Sequence, residues 1–226
     1  MSKSVTFVIP AYNEQEGIEN AVERCIDFFD RRRIDGRLVV VDDGSDDETP
    51  LALERARERH SDRVGVVTHE RNLGMGAALE SGYLAAETDY LSHLPADMQV
   101  GPEDAAVLLD HASPETLAMH VYARRGDGAL RGLLSAAMRS LLYLKTGVWF
   151  RYAGTYVFHR SMISTEEIRA LRSRTFVLNF EILAVLIERA REVRTFPIVP
   201  APRTAGTSKV LRPGKLLEVL LETLRL

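Results

Sequence analysis

A chain of 226 residues suits one domain, or one domain with a modest appendage, and can bury a sizeable core. Apolar residues make up 46% and charged residues 27%, the composition of an ordinary globular protein. With 29 Lys and Arg against 32 Asp and Glu, the formal charge of -3 excludes the basic excess of a general nucleic-acid binder, though not a local basic pocket for phosphates.

Val5–Ile9 reads as a buried strand, and the apolar run of MSKSVTFVIP is too short for a signal peptide. The loop Pro10-Ala11-Tyr12-Asn13-Glu14 leads into an amphipathic helix ending near Arg31. Within it Ile18, Val22, Ile26 and Phe29 recur at helical spacing, so Cys25 reads as a buried thiol; as the lone cysteine, it rules out an intramolecular disulfide. Leu38–Val41 is a second strand, halted by Asp42-Asp43-Gly44. A helix from about Thr49 to Arg59, a strand at Val64–Thr68, a helix from near Met75 and a strand at Tyr90–Leu94 follow. Short apolar runs alternating with helices predict a parallel sheet with helices on both faces. Ligands bind beyond the carboxyl ends of such strands, so the loops after Ile9, Val41, Thr68 and Leu94 should line one site.

The second half is less regular. It reads as a strand at Thr116–Tyr122, a helix at Leu130–Lys145, a strand at Tyr152–Phe158, a helix at Leu178–Arg191 and a strand at Val193–Ile198. No repeat, low-complexity segment or interdomain linker stands out, and no stretch approaches the roughly 20 apolar residues of a membrane span. A single domain over 1–226 is expected, in the cytoplasm, with contact at the inner face of the membrane left open.

Asp42-Asp43-Gly44-Ser45 closes the second strand at the expected ligand edge. A turn followed by a capping box, Ser45-x-x-Glu48, accounts for part of it. A carboxylate there also suits a base N–H or ribose hydroxyls. Neither a P-loop nor a G-x-G-x-x-G after the first strand is present. Asn72-Leu73-Gly74-Met75-Gly76 is a weak glycine-rich signal, equally a flexible turn into a helix. Asp97 with Gln99 after the fourth strand suits a hard cation such as Mg²⁺ or Mn²⁺, completed by diphosphate oxygens and water, against the plainer reading of an acidic loop. In Arg203-Thr204-Ala205-Gly206-Thr207-Ser208-Lys209 the two end cations could hold phosphate oxygens or simply be solvated. Arg124, Arg125 and Arg131 are further candidates for positive charge at the site. The six histidines are scattered, without zinc-ligand spacing, and read as structural.

Together these motifs resemble the family 2 inverting glycosyltransferases of GT-A (Rossmann-like) fold. VIPAYNE at Val8–Glu14, VVVDDGSDDET at Val39–Thr49, NLGMGAAL at Asn72–Leu79 and PADMQ at Pro95–Gln99 stand in family order. Arg203–Lys209 is similar to the polyprenyl-phosphate (dolichol-phosphate) mannose synthase branch. The resemblance implies that residues 1–100 are a nucleotide-sugar half and 101–210 an acceptor half. Pro10, Tyr12, Glu14, Asp42 and Asp43 would hold the nucleoside, the Gly74 loop would border the donor, and Asp97 with Gln99 would take the metal-bound diphosphate. Arg203 and Lys209 would face donor diphosphate or acceptor phosphate, and with Asp97 they make the expected catalytic set. The acceptor is expected to be a polyprenyl phosphate or a small soluble molecule. A non-catalytic nucleotide-sugar-binding protein with a degenerate metal site is the alternative.

Most departures from the branch lie in the acceptor half. Pro95 stands where the usual Asp-x-Asp has its first acid. Gly154-Thr155-Tyr156 replaces a Gly-Phe-Arg segment, Phe150 stands at the position of an Asp four residues earlier, and Arg139 stands for an Asn. These imply a changed acceptor or reduced activity. In Gly214–Leu226, Lys215, Glu218, Glu222 and Arg225 share one helical stripe beside a wide leucine-rich face. Packing on the domain, a membrane surface and a homodimer contact all remain open for that face.

Overall fold

The apolar runs become the strands of one sheet. The computed structural model of the protein describes residues 3–122, 129–148, 153–201 and 213–225. In chain order these form β1 (Ser4–Ala11), α1 (Ile18–Arg32), β2 (Asp35–Asp42), α2 (Thr49–Arg59), β3 (Val64–Thr68), α3 (Met75–Ala85) and β4 (Tyr90–His93). Then come α4 (Pro102–His111), β5 (Thr116–Tyr122), α5 (Ala129–Thr146), β6 (Ala153–His159), α6 (Thr165–Ala170), α7 (Val177–Arg189), β7 (Glu192–Ile198) and α8 (Pro213–Arg225). Each expected strand and helix is present to within a few residues. The helices α4 and α6 are additional. Pro102 at the first helical position and the Asp104 carboxylate accepting from Gly101 N at 2.8 Å give α4 a local start signal.

The sheet order is β3-β2-β1-β4-β6-β5-β7. All neighbours run parallel except β6, which is antiparallel to both β4 and β5. The sheet is mostly parallel, as the resemblance implied, with one reversal at β6. The reversal makes the chain leave β5 and enter β6 at the same edge, the one where β1 to β4 end.

Side-chain alternation divides the core between the two faces. Phe7, Ile9, Leu38 and Val40 pack with α1, α2 and α4, while Val8, Val39 and Val41 pack with α3, α6 and α7. The Phe7 and Phe29 rings meet at 5.2 Å between centroids, and each large side chain so buried contributes about 1.5–3 kcal/mol. Cys25 is fully buried, and burial pushes its thiol up to about 12, so it is an inert core group as expected.

Helix α8 corrects the reading of its charged stripe. Val219 and Thr223 are buried against α5 and α7, and Glu222 turns inward, whereas Leu220, Leu221 and Leu224 stay 41–48% exposed. The side chains of Lys215 and Glu218 lie outside the described residues. Among the described residues, no helix is long and apolar enough to cross a membrane.

Candidate functional site

Strand register sets the site. Ala11 pairs with Asp42, and Asp42 with Thr68, so the ends of β1, β2 and β3 stand side by side. Leu94 N donates to Val8 O at 2.9 Å, which brings the loop after β4 to the same edge. The four loops expected to line one site therefore share one border.

The first two loops are bonded to each other. Asn13, in the left-handed region at φ 53°, donates from its backbone N to Ser45 Oγ at 3.0 Å and accepts from Asp46 N at 3.0 Å. Glu14 N donates to Thr49 Oγ1 at 2.8 Å, and Glu48 N to Gln15 Oε1 at 2.8 Å. Pro10, at the end of β1, and the partly buried Tyr12 and Glu14 flank this joint. The expected capping box does not form, because Ser45 serves the first loop. Asp47 Oδ1 instead accepts from Thr49 N, the first N–H of α2, at 2.8 Å.

The two aspartates differ. Asp42 is buried and accepts from Ser45 N at 3.0 Å, closing its own turn. Asp43, 3% exposed, accepts from Leu73 N at 2.9 Å, Gly74 N at 2.8 Å and His69 Nδ1 at 2.8 Å. His69 Nε2 in turn lies 2.9 Å from Ser81 Oγ on α3. This Asp–His–Ser chain pins the Asn72–Gly76 loop and α3 to the end of β2. Sequence reasoning missed His69, although its place directly after β3 was the available signal.

The glycines of that loop make room for a second segment. Gly74 has φ 98°, and a Cβ on it would stand 2.5 Å from Arg174 O. A Cβ on Gly76 would stand 2.4 Å from Thr175 O, and Gly76 N donates to Arg174 O at 2.8 Å. The N–H groups of Leu73, Gly74 and Gly76 are all satisfied by protein acceptors. The loop is thus a fixed wall and no longer reads as a flexible turn.

After β4 the chain turns at Pro95–Met98, with Met98 N donating to Pro95 O at 3.0 Å and Met98 at φ 50°. Asp97 Oδ1 accepts from Gln99 N at 3.2 Å. Gln99 Nε2 donates to Ala201 O and Ala201 N to Gln99 O, both at 2.9 Å. The turn is thereby tied to the chain just beyond β7, two residues before Arg203. Arg203 and Lys209 themselves lie outside the described residues, as do Arg124, Arg125, Phe150 and the side chain of Arg131. Asp97 and Gln99 offer hard oxygen donors from a half-buried turn, which fits a Mg²⁺ or Mn²⁺ ion shared with a substrate. Among the described residues, no group of three or more His, Cys, Asp or Glu forms a protein cage for a metal ion.

Behind the turn, His93 ends β4. Its Nδ1 lies 3.0 Å from Tyr83 Oη, its ring meets Tyr156 at 5.0 Å, and burial lowers its pKa to about 4, which keeps it neutral. Tyr156 Oη donates to Asn179 Oδ1 at 2.7 Å, and burial raises the Tyr156 phenol well above its usual range. Gly154, Thr155 and Tyr156 are all buried, so the segment that departs from Gly-Phe-Arg serves the sheet's packing.

Residues 6–172 match the family described as Glycosyl transferase family 2. The chain is 30% identical over 209 residues to an undecaprenyl-phosphate 4-deoxy-4-formamido-L-arabinose transferase from Pectobacterium atrosepticum, covering 92% of this chain and 62% of that protein. A protein of the same name from Pseudomonas fluorescens is 30% identical over 222 residues, covering 96% of this chain and 63% of that one. The chain thus spans 62–63% of the length of these relatives. Among solved structures, mannosyl-3-phosphoglycerate synthase from Rubrobacter xylanophilus superposes with a TM-score of 0.66 at 16% identity, covering 99% of this chain and 73% of that one. A mannosyltransferase from Pyrobaculum calidifontis in complex with GDP-Man and Mn²⁺ gives 0.60 at 19% identity, covering 100% and 65%. The fold is the GT-A fold expected. With its first six strands inside the matched span, the chain belongs to glycosyl transferase family 2.

Proposed function

We propose that this chain transfers a sugar from a nucleotide-diphosphate sugar to a polyprenyl phosphate, with inversion at the anomeric carbon. The observation that carries this is the single sheet edge where the loops after β1, β2, β3 and β4 meet, with Asp42, Asp43 and Asp97 on it. Pro10, Tyr12, Glu14 and Asp42 hold the nucleoside. Asp43 acts through the Gly74 loop it pins, which borders the donor. Asp97 and Gln99 hold the divalent ion that neutralises charge on the leaving diphosphate. Arg203 and Lys209 supply positive charge for donor diphosphate or acceptor phosphate. The names of the relatives favour the lipid phosphate over a small soluble acceptor.

The chemistry needs little from the protein beyond placement. An acceptor phosphate oxygen, already anionic near neutral pH, supplies the electron pair for the new bond to the anomeric carbon. The bond from that carbon to the donor diphosphate breaks, and nucleoside diphosphate leaves with the electron pair. No general base is required for such an acceptor, whereas a hydroxyl acceptor would call for one. A lipid-linked acceptor also needs a surface that meets lipid. Leu220, Leu221 and Leu224 on α8, with Tyr143 and Leu144 at the end of α5, supply exposed apolar area, and Lys145 Nζ donates to Leu224 O at 2.7 Å between the two helices.

Calorimetric titration with UDP, GDP, dTDP and their common sugars, in Mn²⁺ or EDTA, tests the donor half. Metal-dependent binding of one nucleotide is the expected result, followed by labelled sugar transfer to undecaprenyl phosphate in detergent. Binding without transfer to lipid phosphate or soluble acceptors would establish the non-catalytic alternative. No binding at all would end the transferase reading. Co-sedimentation with phospholipid vesicles checks the surface, and a vesicle-independent dimer on sizing would assign the leucines to a second copy instead.

A further inference from the structure

The segment between α6 and α7 is held by carboxylates from three helices. Glu181 of α7 accepts from Arg172 N at 3.1 Å and from Ser173 Oγ at 2.5 Å. Glu80 of α3 pairs with the Arg174 guanidinium. Glu222 of α8 accepts from Arg174 N at 2.8 Å, Thr175 N at 3.1 Å and Thr175 Oγ1 at 2.7 Å. The carbonyls of the same two residues face Gly74 and Gly76, where only glycines fit, and Gly76 N donates to Arg174 O. Gly74 N in turn donates to Asp43 at the end of β2. An unbroken series of contacts therefore runs from the C-terminal helix to the edge of the cleft.

We propose that Glu222 is a positioning residue for donor binding, a clasp on α8 that presses the Arg174–Thr175 strap onto the Gly74–Gly76 wall. It lies beyond the span that matches the family, on a helix whose Leu220, Leu221 and Leu224 face outward. An ionised carboxylate accepting backbone N–H groups makes stronger bonds than a neutral acceptor. Without it, two strap N–H groups and one hydroxyl lose their acceptor, and the carbonyl that holds Gly76 N loses its fixed place. The wall then opens more often, although no residue touching the donor has changed. The inference rests on the reading that the Asp43–Gly76 loop borders the donor site, and it adds α8 to the parts that shape that site.

Hydrogen exchange and nucleotide calorimetry on the full chain, comparing Glu222→Ala with Glu222→Gln, test this. For Glu222→Ala we expect about tenfold faster exchange in peptides covering residues 72–78 and about tenfold weaker nucleotide binding, with β1 and β2 unchanged. Glu222→Gln, which keeps one acceptor oxygen, should recover part of both. Faster exchange confined to residues 172–176 and α8, or an unchanged nucleotide Kd, would overturn the proposal and leave Glu222 a simple helix anchor. If Glu222→Ala loses protection everywhere, Thr175→Val removes the hydroxyl's bond to Glu222, along with its longer contact from Val177 N at 3.3 Å, and is read on the same peptides with the same two outcomes. Should the unaltered protein bind no nucleotide, the donor reading and the positioning role fall together, while exchange at 72–78 still decides whether the clasp exists.

Discussion

Asp43 and Asp97 stand on the same sheet edge yet are built into it in opposite ways. Asp43 is 3% exposed, and it accepts from His69, Leu73 and Gly74, which lie 26, 30 and 31 residues away, so it holds distant segments together. Asp97 is half-buried in a turn, and its bond to Gln99 N reaches only two residues. The same side chain serves as a long-range staple at the β2 end, and at the β4 end it is the acid that our proposal assigns to the ion. A carboxylate with neutral N–H partners all around it can rigidify a wall, while one on a half-open turn can still meet a cation or a phosphate-bound ion. Asp43 thus belongs to the scaffold and Asp97 to the proposed chemistry, although the sequence presents both as strand-terminal acids.

Substitution at Asp43 should have the largest effect. Asp43→Ala leaves the N–H groups of Leu73 and Gly74 without their acceptor and frees His69, at a cost of about 4 kcal/mol and roughly 12 °C in Tm. Urea and thermal unfolding measure this, and a loss under about 1 kcal/mol would erase the contrast with Asp97.

Acid is the next lever, acting through His93. Its pKa is about 4 in the fold against an ordinary value of 6.5, so the unfolded chain binds the proton more readily between those values. The stability gained by burying neutral His93 is complete above pH 6.5 and declines as pH falls towards 4, by on the order of 3 kcal/mol. Unfolding free energies at pH 7 and pH 4.5 should differ less in His93→Gln than in the parent, and equal differences would show that another group governs acid sensitivity.

The smallest stability effect belongs to Asp97→Asn, expected within about 0.5 kcal/mol of the parent. Its binding effect should nonetheless be clear, with the Mn²⁺-dependent part of nucleotide affinity reduced tenfold or more. Equal affinity in Mn²⁺ and EDTA for both proteins would remove Asp97 from the metal role and close the comparison in favour of scaffold at both ends.

Much of the nucleotide half was legible because its signals are local. The near-continuous apolar runs Val5–Ile9 and Leu38–Val41 mark strands buried on both faces, and the acids and glycines that follow mark their ends. The order of those motifs was enough to indicate the family. The roles of single residues were less legible. Ser45 looked like a helix cap and instead bonds Asn13, and Gly74 and Gly76 looked like turn residues and instead admit the Arg174 and Thr175 carbonyls. His69 and His93, read only as scattered structural residues, tie the strand ends to α3, His69 through Asp43 and Ser81 and His93 through Tyr83.

By itself, then, the sequence determined the strands, all the helices but α4 and α6, the GT-A class and the edge on which the loops meet. Spacing of two and 3.6 residues records which faces are buried, and strand-end motifs record where loops begin. Only the tertiary structure decided that β6 runs against its neighbours, that Asp43 is a staple and that Glu222 turns inward to hold a strap 47–48 residues away. Those outcomes depend on which distant groups compete for each buried donor and acceptor, and no local pattern encodes that competition.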